Sequence, residues 1–191
     1  MGENSNENSI KSLVEQSIIV LYYGEFEVTD EMFTFNELNL QGKPDLERTL
    51  RKLYKIDSLP CILAYGSVFS MEEIAAVQEI EREFNKKQLD AAIDLIKTQK
   101  RVIFIKGTPT RPQCRFTKEL LGIFQEEGLS PERDYKSVNV LETDAVREGI
   151  KEYGDWPTYP QVYINHELAG GLDVIKAERA QGRIRAVLGL Q

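Results

Sequence analysis

Short apolar runs bounded by glycine and proline alternate along this chain with segments whose apolar residues recur at helical spacing. Ser17 to Tyr23 is a nearly continuous apolar run, which predicts a strand buried on both faces, ended by Gly24. Glu25 to Met32 is acidic and irregular. Phe33 to Leu40 intersperses Phe33, Phe35, Leu38 and Leu40 with polar residues and predicts a second strand, broken by Gly42-Lys43-Pro44. Leu46, Leu50, Leu53 and Tyr54 then give a helix over 45–55. Pro60 to Tyr65 is another buried strand, closed by Gly66, and Ser70 with Glu73 three residues on opens a helix to about Phe84. Leu89, Ala92, Ile93 and Ile96 mark a further helical stretch ending near Lys100, either separate or continuous with the one before.

The rest repeats this punctuation at fuller length. Val102 to Ile105 is a strand, and a polar, proline-broken loop follows from Gly107 to Pro112. Phe116, Leu120, Leu121 and Phe124 mark a helix closed by Gly128, and Tyr135 to Val140 is a strand. Thr143 caps a helix through Tyr153. Gln161 to Ile164 and Glu167 to Ala169 pair as a hairpin around Asn165-His166, and Gly170-Gly171 leads into a last helical stretch. Residues 86–191 therefore read α-β-α-β-α-β-β-α, an α/β order that implies a mixed central sheet with helices on both faces. Residues 1–85 read β-β-α-β-α, an abbreviated version of the same layout. Two tandem units meeting near Asn85-Lys86 are the expectation, the first preceded by a short polar tail at Met1 to Asn8.

Charge sharpens that division. Residues 1–85 carry 16 acidic and 7 basic side chains, residues 86–191 carry 15 and 17, within a formal net charge of −7. An acidic chain without a long basic stripe argues against nucleic acid as partner, because phosphate contacts dominate that affinity. No apolar run approaches the ~20 residues a membrane helix needs, so no membrane partner is expected. The Glu/Asn/Ser-rich start lacks the features of a secretory signal or transit peptide, so the chain is expected in the cytoplasm, with the nucleus equally open. Two cysteines, Cys61 and Cys114, make neither a disulfide framework nor a CxxC pair, and in a reducing compartment both are free thiols.

The chemistry concentrates at one of them. Cys114 falls where a strand has ended, a Pro/Gly loop has turned and a helix begins. Unpaired backbone N–H groups at a helix start stabilise an anion, so a thiol there ionises more readily, and Lys106, Arg111 and Arg115 add positive charge nearby in sequence. A thiolate is the nucleophile of disulfide exchange and a ligand for soft metals. The alternative, a structural buried cysteine, is poorly served by so polar and basic a setting.

The stretch Lys106-Gly107-Thr108-Pro109, then Pro112-Gln113-Cys114-Arg115-Phe116-Thr117, resembles the monothiol glutaredoxins, whose signature continues from Lys-Gly-Thr-Pro to Cys-Gly-Phe-Ser. The similarity extends to Trp156 through Tyr163 and to Gly170-Gly171-Leu172-Asp173, and covers roughly residues 86–191. It implies a thioredoxin-like fold that binds glutathione beside Cys114. It further implies that two protomers hold a 2Fe–2S cluster, each giving one cysteine thiolate, with two glutathione thiols completing the four such a cluster requires. By the same resemblance Lys106 meets a glutathione carboxylate, and Arg147 and Lys151 hold the glycine end. Phe116 lines the site, Thr158 or Tyr159 offers backbone beside a cis Pro160, and Gly171, Leu172 and Asp173 receive the γ-glutamyl carboxylate at a helix start. An N-cap role for Asp173 is compatible with this.

Two signature positions differ. Thr117 replaces serine and keeps its hydroxyl. Arg115 replaces glycine and sets a long cation beside the sulfur, able either to pair with glutathione carboxylates or to crowd a dimer contact. His166 belongs to a hairpin turn, and Trp156 to the packing near the site. Ser58 to Tyr65, with proline ahead of an apolar strand, resembles the later part of a thioredoxin domain, as found ahead of the glutaredoxin domain in multidomain monothiol glutaredoxins. The strand ending at Tyr23 leads into neither a WCxxC motif nor a long helix, so this first unit reads as a degenerate, non-catalytic module with Cys61 buried.

Three functions follow. The chain is a glutathione-binding carrier of 2Fe–2S clusters, exchanging them with iron–sulfur client or assembly proteins and dimeric when loaded. Alternatively it is a glutathione-dependent thiol–disulfide oxidoreductase acting through Cys114, or a non-catalytic adaptor.

Overall fold

The computed structural model describes residues 2–27 and 35–190, with side chains from Glu7 onward. The chain forms two compact units, residues 1–82 and 83–191. In order its elements are α1 (Gly2–Val14), β1 (Ile18–Tyr22), β2 (Asn36–Asn39), α2 (Pro44–Tyr54), β3 (Cys61–Ala64), β4 (Ser67–Phe69) and α3 (Ile74–Thr98). Then come β5 (Arg101–Ile105), α4 (Arg115–Glu126), β6 (Lys136–Asn139), α5 (Asp144–Tyr153), β7 (Gln161–Ile164), β8 (Glu167–Gly170), α6 (Leu172–Ala180) and α7 (Ile184–Val187).

In the second unit the sheet order is β6-β5-β7-β8, with β5–β6 parallel and the other two pairs antiparallel. The central strand β5 is buried along its whole length because both faces are covered. Ile103 and Ile105 pack with Leu120 and Phe124 of α4 and with Ile175 of α6, while Val102 and Phe104 pack with Ile96 of α3 and Ile150 of α5. An apolar run without alternation is the sequence of such a strand. Arg101, at its start, is buried: Nε donates to the Leu188 carbonyl at 2.6 Å and Nη2 to that of Gly189 at 2.8 Å, which ties down the end of α7.

The first unit repeats the layout. Its order is β2-β1-β3-β4, again with one parallel and two antiparallel pairs. Ile19, Leu21 and Leu63 face Val14 of α1 and Leu50 of α2, and Ile18, Val20 and Ile62 face Val77 of α3. Two mixed four-stranded sheets flanked by helices are thus the tandem α/β architecture that the element order predicted, and the first is shortened as expected. Among the described residues no helix joins β1 to β2, whereas α4 joins β5 to β6.

Three expectations need correction, and a fourth point left open is decided. The polar start is not a tail but part of α1, because Ile10 and Val14, one turn apart, seat its later half on the core, and Glu7 pairs with Lys52 at 2.8 Å. Among the described residues the strand expected over 33–40 spans Asn36–Asn39; Phe33 and Thr34 lie outside them, and Leu40, just past the strand, donates its N–H to the Tyr22 carbonyl at 2.9 Å and enters the core. The first unit has a fourth strand, missed because it is three residues long and because Gly66 reads as a terminator. Tyr65 and Gly66 both have positive φ (47° and 87°), the two-residue hairpin turn that Asn165 and His166 (49° and 74°) make in the second unit. Finally, the capping box at Ser70 (its N–H donates to Glu73 Oε2 at 2.8 Å) opens a 3-10 turn, and then one unbroken helix runs to Thr98. No glycine or proline lies between Ser70 and Arg101 to stop it.

Candidate functional site

The loop after β5 is a closed ring. Gly107 turns it at φ 86°; a Cβ there would lie 2.4 Å from the Arg111 carbonyl oxygen and 2.7 Å from the Gln113 nitrogen, so only glycine fits. Thr108 and Arg111 exchange two backbone hydrogen bonds of 3.1 Å, and Gln113 N–H donates to the Lys106 carbonyl at 2.9 Å. Gly107 N–H donates to Asn139 Oδ1 at 2.8 Å, which anchors the ring to the end of β6. The buried Thr117 hydroxyl accepts from Lys106 N–H at 3.2 Å, so the replacement of serine keeps a working bond. These contacts bring Cys114 out of the ring as the N-cap of α4, in extended conformation and half-buried. Its carbonyl accepts the first helical bond, from Lys118 N–H at 3.0 Å. The next N–H groups have no acceptor within the helix and direct their partial positive charge to this end.

Strand register gathers other predicted residues at the same sheet end. Phe104 pairs with Gln161, so the antiparallel ladder carries Tyr159-Pro160 alongside Ile105 and Lys106. The Tyr159–Pro160 bond is cis, as the resemblance implied. Tyr159 is buried, its hydroxyl donates to the Arg147 carbonyl at 2.6 Å, and burial pushes its pKa upward. Thr158 is exposed. Gly171 packs under Trp156: a Cβ there would lie 3.2 Å from both the Pro160 carbonyl oxygen and Trp156 Nε1. Gly171 is the N-cap of α6, so Asp173 sits in the first turn rather than capping the helix. Leu172 is buried and Asp173 exposed.

Arg147 and Lys151 share a face of α5 with Glu148 between them. Lys151 Nζ donates to Glu148 at 2.7 Å and holds that carboxyl below its usual range, and Arg147 Nε lies 3.6 Å from it. Both cations are thus engaged within their own helix. Phe116 is 40% exposed, and the Arg115 guanidinium lies over its ring at 4.5 Å.

Asn139 and Gln161 were not foreseen. Asn139 fixes the ring; buried Gln161 donates to the Trp156 carbonyl at 2.9 Å and accepts from the Tyr163 hydroxyl at 2.9 Å. The signal of Gln161 was a polar residue opening an otherwise apolar strand, whereas Asn139 ends the largely polar β6 and carried no such signal. His166 sits in its turn with Nδ1 2.9 Å from the Ile96 carbonyl oxygen. Cys61 is buried, and burial pushes its thiol up to about 11.

The unit that carries Cys114 at a helix start and a cis Tyr159–Pro160 bond on a four-stranded mixed sheet also matches the glutaredoxin family profile, over residues 102–169. The chain is 35% identical over 129 residues to Monothiol glutaredoxin-5, mitochondrial, of Saccharomyces cerevisiae, covering 65% of this chain and 85% of that protein. It is 44% identical over 87 residues to the Schizosaccharomyces pombe protein of the same name, covering 46% of this chain and 59% of that one. It is 32% identical over 125 residues to human Glutaredoxin-3, covering 64% of this chain but only 36% of the human protein. A solved structure, a monomeric truncated mutant of Trypanosoma brucei 1-C-Grx1, aligns at 36% identity and a TM-score of 0.46 over 51% of this chain and 86% of that one. The chain belongs to the monothiol glutaredoxins. No helix among the described residues is long and apolar enough to cross a membrane.

Proposed function

We propose that this chain binds glutathione beside Cys114 and, as a pair of protomers, carries a 2Fe–2S cluster between iron–sulfur assembly and client proteins. The observation that supports this is the setting of Cys114: a lone half-buried thiol at the first turn of α4, with no second cysteine in the loop or helix to close a disulfide on it. Among the described residues no three His, Cys, Asp or Glu side chains converge, so one protomer contributes a single sulfur to a cargo that takes four. A second protomer's cysteine and two glutathione thiols supply the rest. In this reading Lys106 meets one glutathione carboxylate, while Arg147 and Lys151 turn from Glu148 to share the glycyl end. The Thr158–Tyr159 backbone pairs with the tripeptide beside Pro160, Phe116 flanks it, and the amides of Gly171, Leu172 and Asp173 take the γ-glutamyl carboxylate at the start of α6. Two unpaired thiols suit a reducing compartment, the cytoplasm or the nucleus.

Anaerobic reconstitution with iron, sulfide and glutathione tests it. A coloured dimer that requires glutathione and is lost in Cys114→Ser is the expected result; a colourless monomer overturns cluster carriage.

Arg115 favours a second reading, because a cation held over Phe116 next to the sulfur suits an anionic leaving or entering thiolate. Here the Cys114 thiolate attacks the glutathione sulfur of a protein–glutathione mixed disulfide and releases the protein thiolate. A second glutathione thiolate then attacks Cys114–S–SG, giving oxidised glutathione and restoring the Cys114 thiolate. Turnover of a glutathionylated peptide by the colourless monomer would establish it.

A further inference from the structure

From Val102 to Lys118 the chain carries four cations and no carboxylate, in a protein of net charge −7. Elsewhere in this unit most cations are engaged: the ion pairs join Arg133 to Asp134, Lys136 to Glu132, Arg147 and Lys151 to Glu148, Lys176 to Glu119, Arg179 to Glu126, Arg183 to Glu178 and Arg185 to Glu127. Arg111, Arg115 and Lys118 enter none among the described residues, and all three are exposed. Arg111 stands in the closed ring three residues before Cys114, and Arg115 and Lys118 lie one turn apart on α4. The Phe116 ring holds the Arg115 guanidinium at 4.5 Å and so restricts a side chain that would otherwise sample many rotamers. The nearest acid in sequence, Glu119, is taken by Lys176 at 3.2 Å.

Unneutralised cations around a reacting sulfur raise the local concentration of anionic partners and orient their approach. We propose that Arg111, Arg115 and Lys118 form a cationic rim that docks a protein partner through a short run of Asp and Glu residues flanking the sulfur it presents to Cys114. The inference rests on Cys114 being the reacting sulfur. A polypeptide fits better than a nucleic acid: three cations confined to one loop and one helical turn match a few carboxylates, and the acidic remainder of the chain repels a long polyanion. Arg111 and Lys118 are not among the residues assigned above to glutathione, so that pair separates partner docking from tripeptide binding, whereas Arg115 also stands over Phe116 of the glutathione site.

The test is fluorescence anisotropy of the full chain with a labelled, cysteine-free Glu/Ser peptide, its Gln/Ser counterpart and a single-stranded oligonucleotide of equal charge. The Glu peptide should bind and the Gln peptide should not. Binding should weaken about tenfold between about 0.1 M and 1 M salt, where the screening length falls from ~10 to ~3 Å. Arg111→Ala with Lys118→Ala should weaken the peptide about fivefold while leaving glutathione affinity unchanged, and Arg115→Gly should weaken it further. Equal binding of the two peptides, an unaffected double variant, or tighter binding of the oligonucleotide would overturn the rim. Because the probe has no sulfur, loss of glutathione or cluster binding in the same chain would count against the proposed function and not against the rim.

Discussion

Each unit of this protein has a central strand, a parallel neighbour, a cis proline and a cysteine, yet the two cysteines are not counterparts. In the first unit Leu21 pairs with Cys61, and in the second Phe104 pairs with Gln161; both Cys61 and Gln161 directly follow the cis proline. Cys61 therefore occupies the place of Gln161, inside the sheet. Cys114 belongs to the ring and helix between β5 and β6, and the stretch between β1 and β2 contains no cysteine. The shared sheet brings the same strand ends together in both units. Chemistry depends on what is inserted there: a loop closed on glycine, and a helix whose first turn faces the thiol.

The largest expected difference is in reactivity. With its pKa pushed to about 11, Cys61 is ionised in only about one molecule in ten thousand at pH 7, and it must also be uncovered before it reacts. Alkylation of the native chain with iodoacetamide, followed by peptide mapping, should modify Cys114 on the order of 1000-fold faster. Comparable rates would abolish the distinction between the two settings.

The next comparison concerns the first residue of each central strand. Ile18 and Arg101 hold the same register, opposite Ala64 and Ile164 respectively. In the second unit the guanidinium satisfies the Leu188 and Gly189 carbonyls, a task with no counterpart at Ile18. Arg101→Ile should lower stability by about 2–3 kcal/mol in urea denaturation, because it strands those carbonyls against apolar neighbours. A loss below about 0.5 kcal/mol would mean the end of α7 finds other partners.

Cys61 supplies a third. Its thiol keeps its proton to about pH 11 when folded, against an ordinary value of 9.0. Below pH 9 both folded and unfolded chains are protonated and the contribution is fully present. Between pH 9 and 11 the unfolded chain ionises first, so stability falls as pH rises, by about 2–3 kcal/mol in all. Comparing wild type with Cys61→Ala at about pH 8 and pH 11 isolates this slope, which the variant should lack.

The sequence was most legible where a pattern had one physical solution. Ile103 and Ile105 on one face and Val102 and Phe104 on the other leave β5 no exposed side, and its unbroken apolar run says so. The Cys114 loop was legible because glycine, two prolines and a helix-period run follow in order. Asn139 and Gln161 were not, because a single polar residue in a strand does not announce which distant N–H or carbonyl it will meet. The first helix was hidden by its polar opening residues, since among the described residues its apolar link to the core is Ile10 and Val14. The pairing of Arg147 and Lys151 with Glu148 was hidden as well, since Glu148 is visible in sequence but its choice of partner is set by rotamers.

The smallest effect separates two helix starts at matching positions, α2 after β2 and α5 after β6. Thr143 caps α5 with its hydroxyl, accepting from Val146 N–H at 3.1 Å, and so satisfies one of the amides a helix start leaves open. Lys43 stands at the N-cap of α2 and makes no such bond; Pro44 at the first position and Asp45 and Glu47 in the first turn support that helix instead. The same truncation should then read differently. Thr143→Ala should cost about 1 kcal/mol, and Lys43→Ala no more than about 0.3 kcal/mol, in chemical denaturation followed by circular dichroism. Equal losses would show that the two helix starts depend on the loops before them rather than on the side chain at the cap.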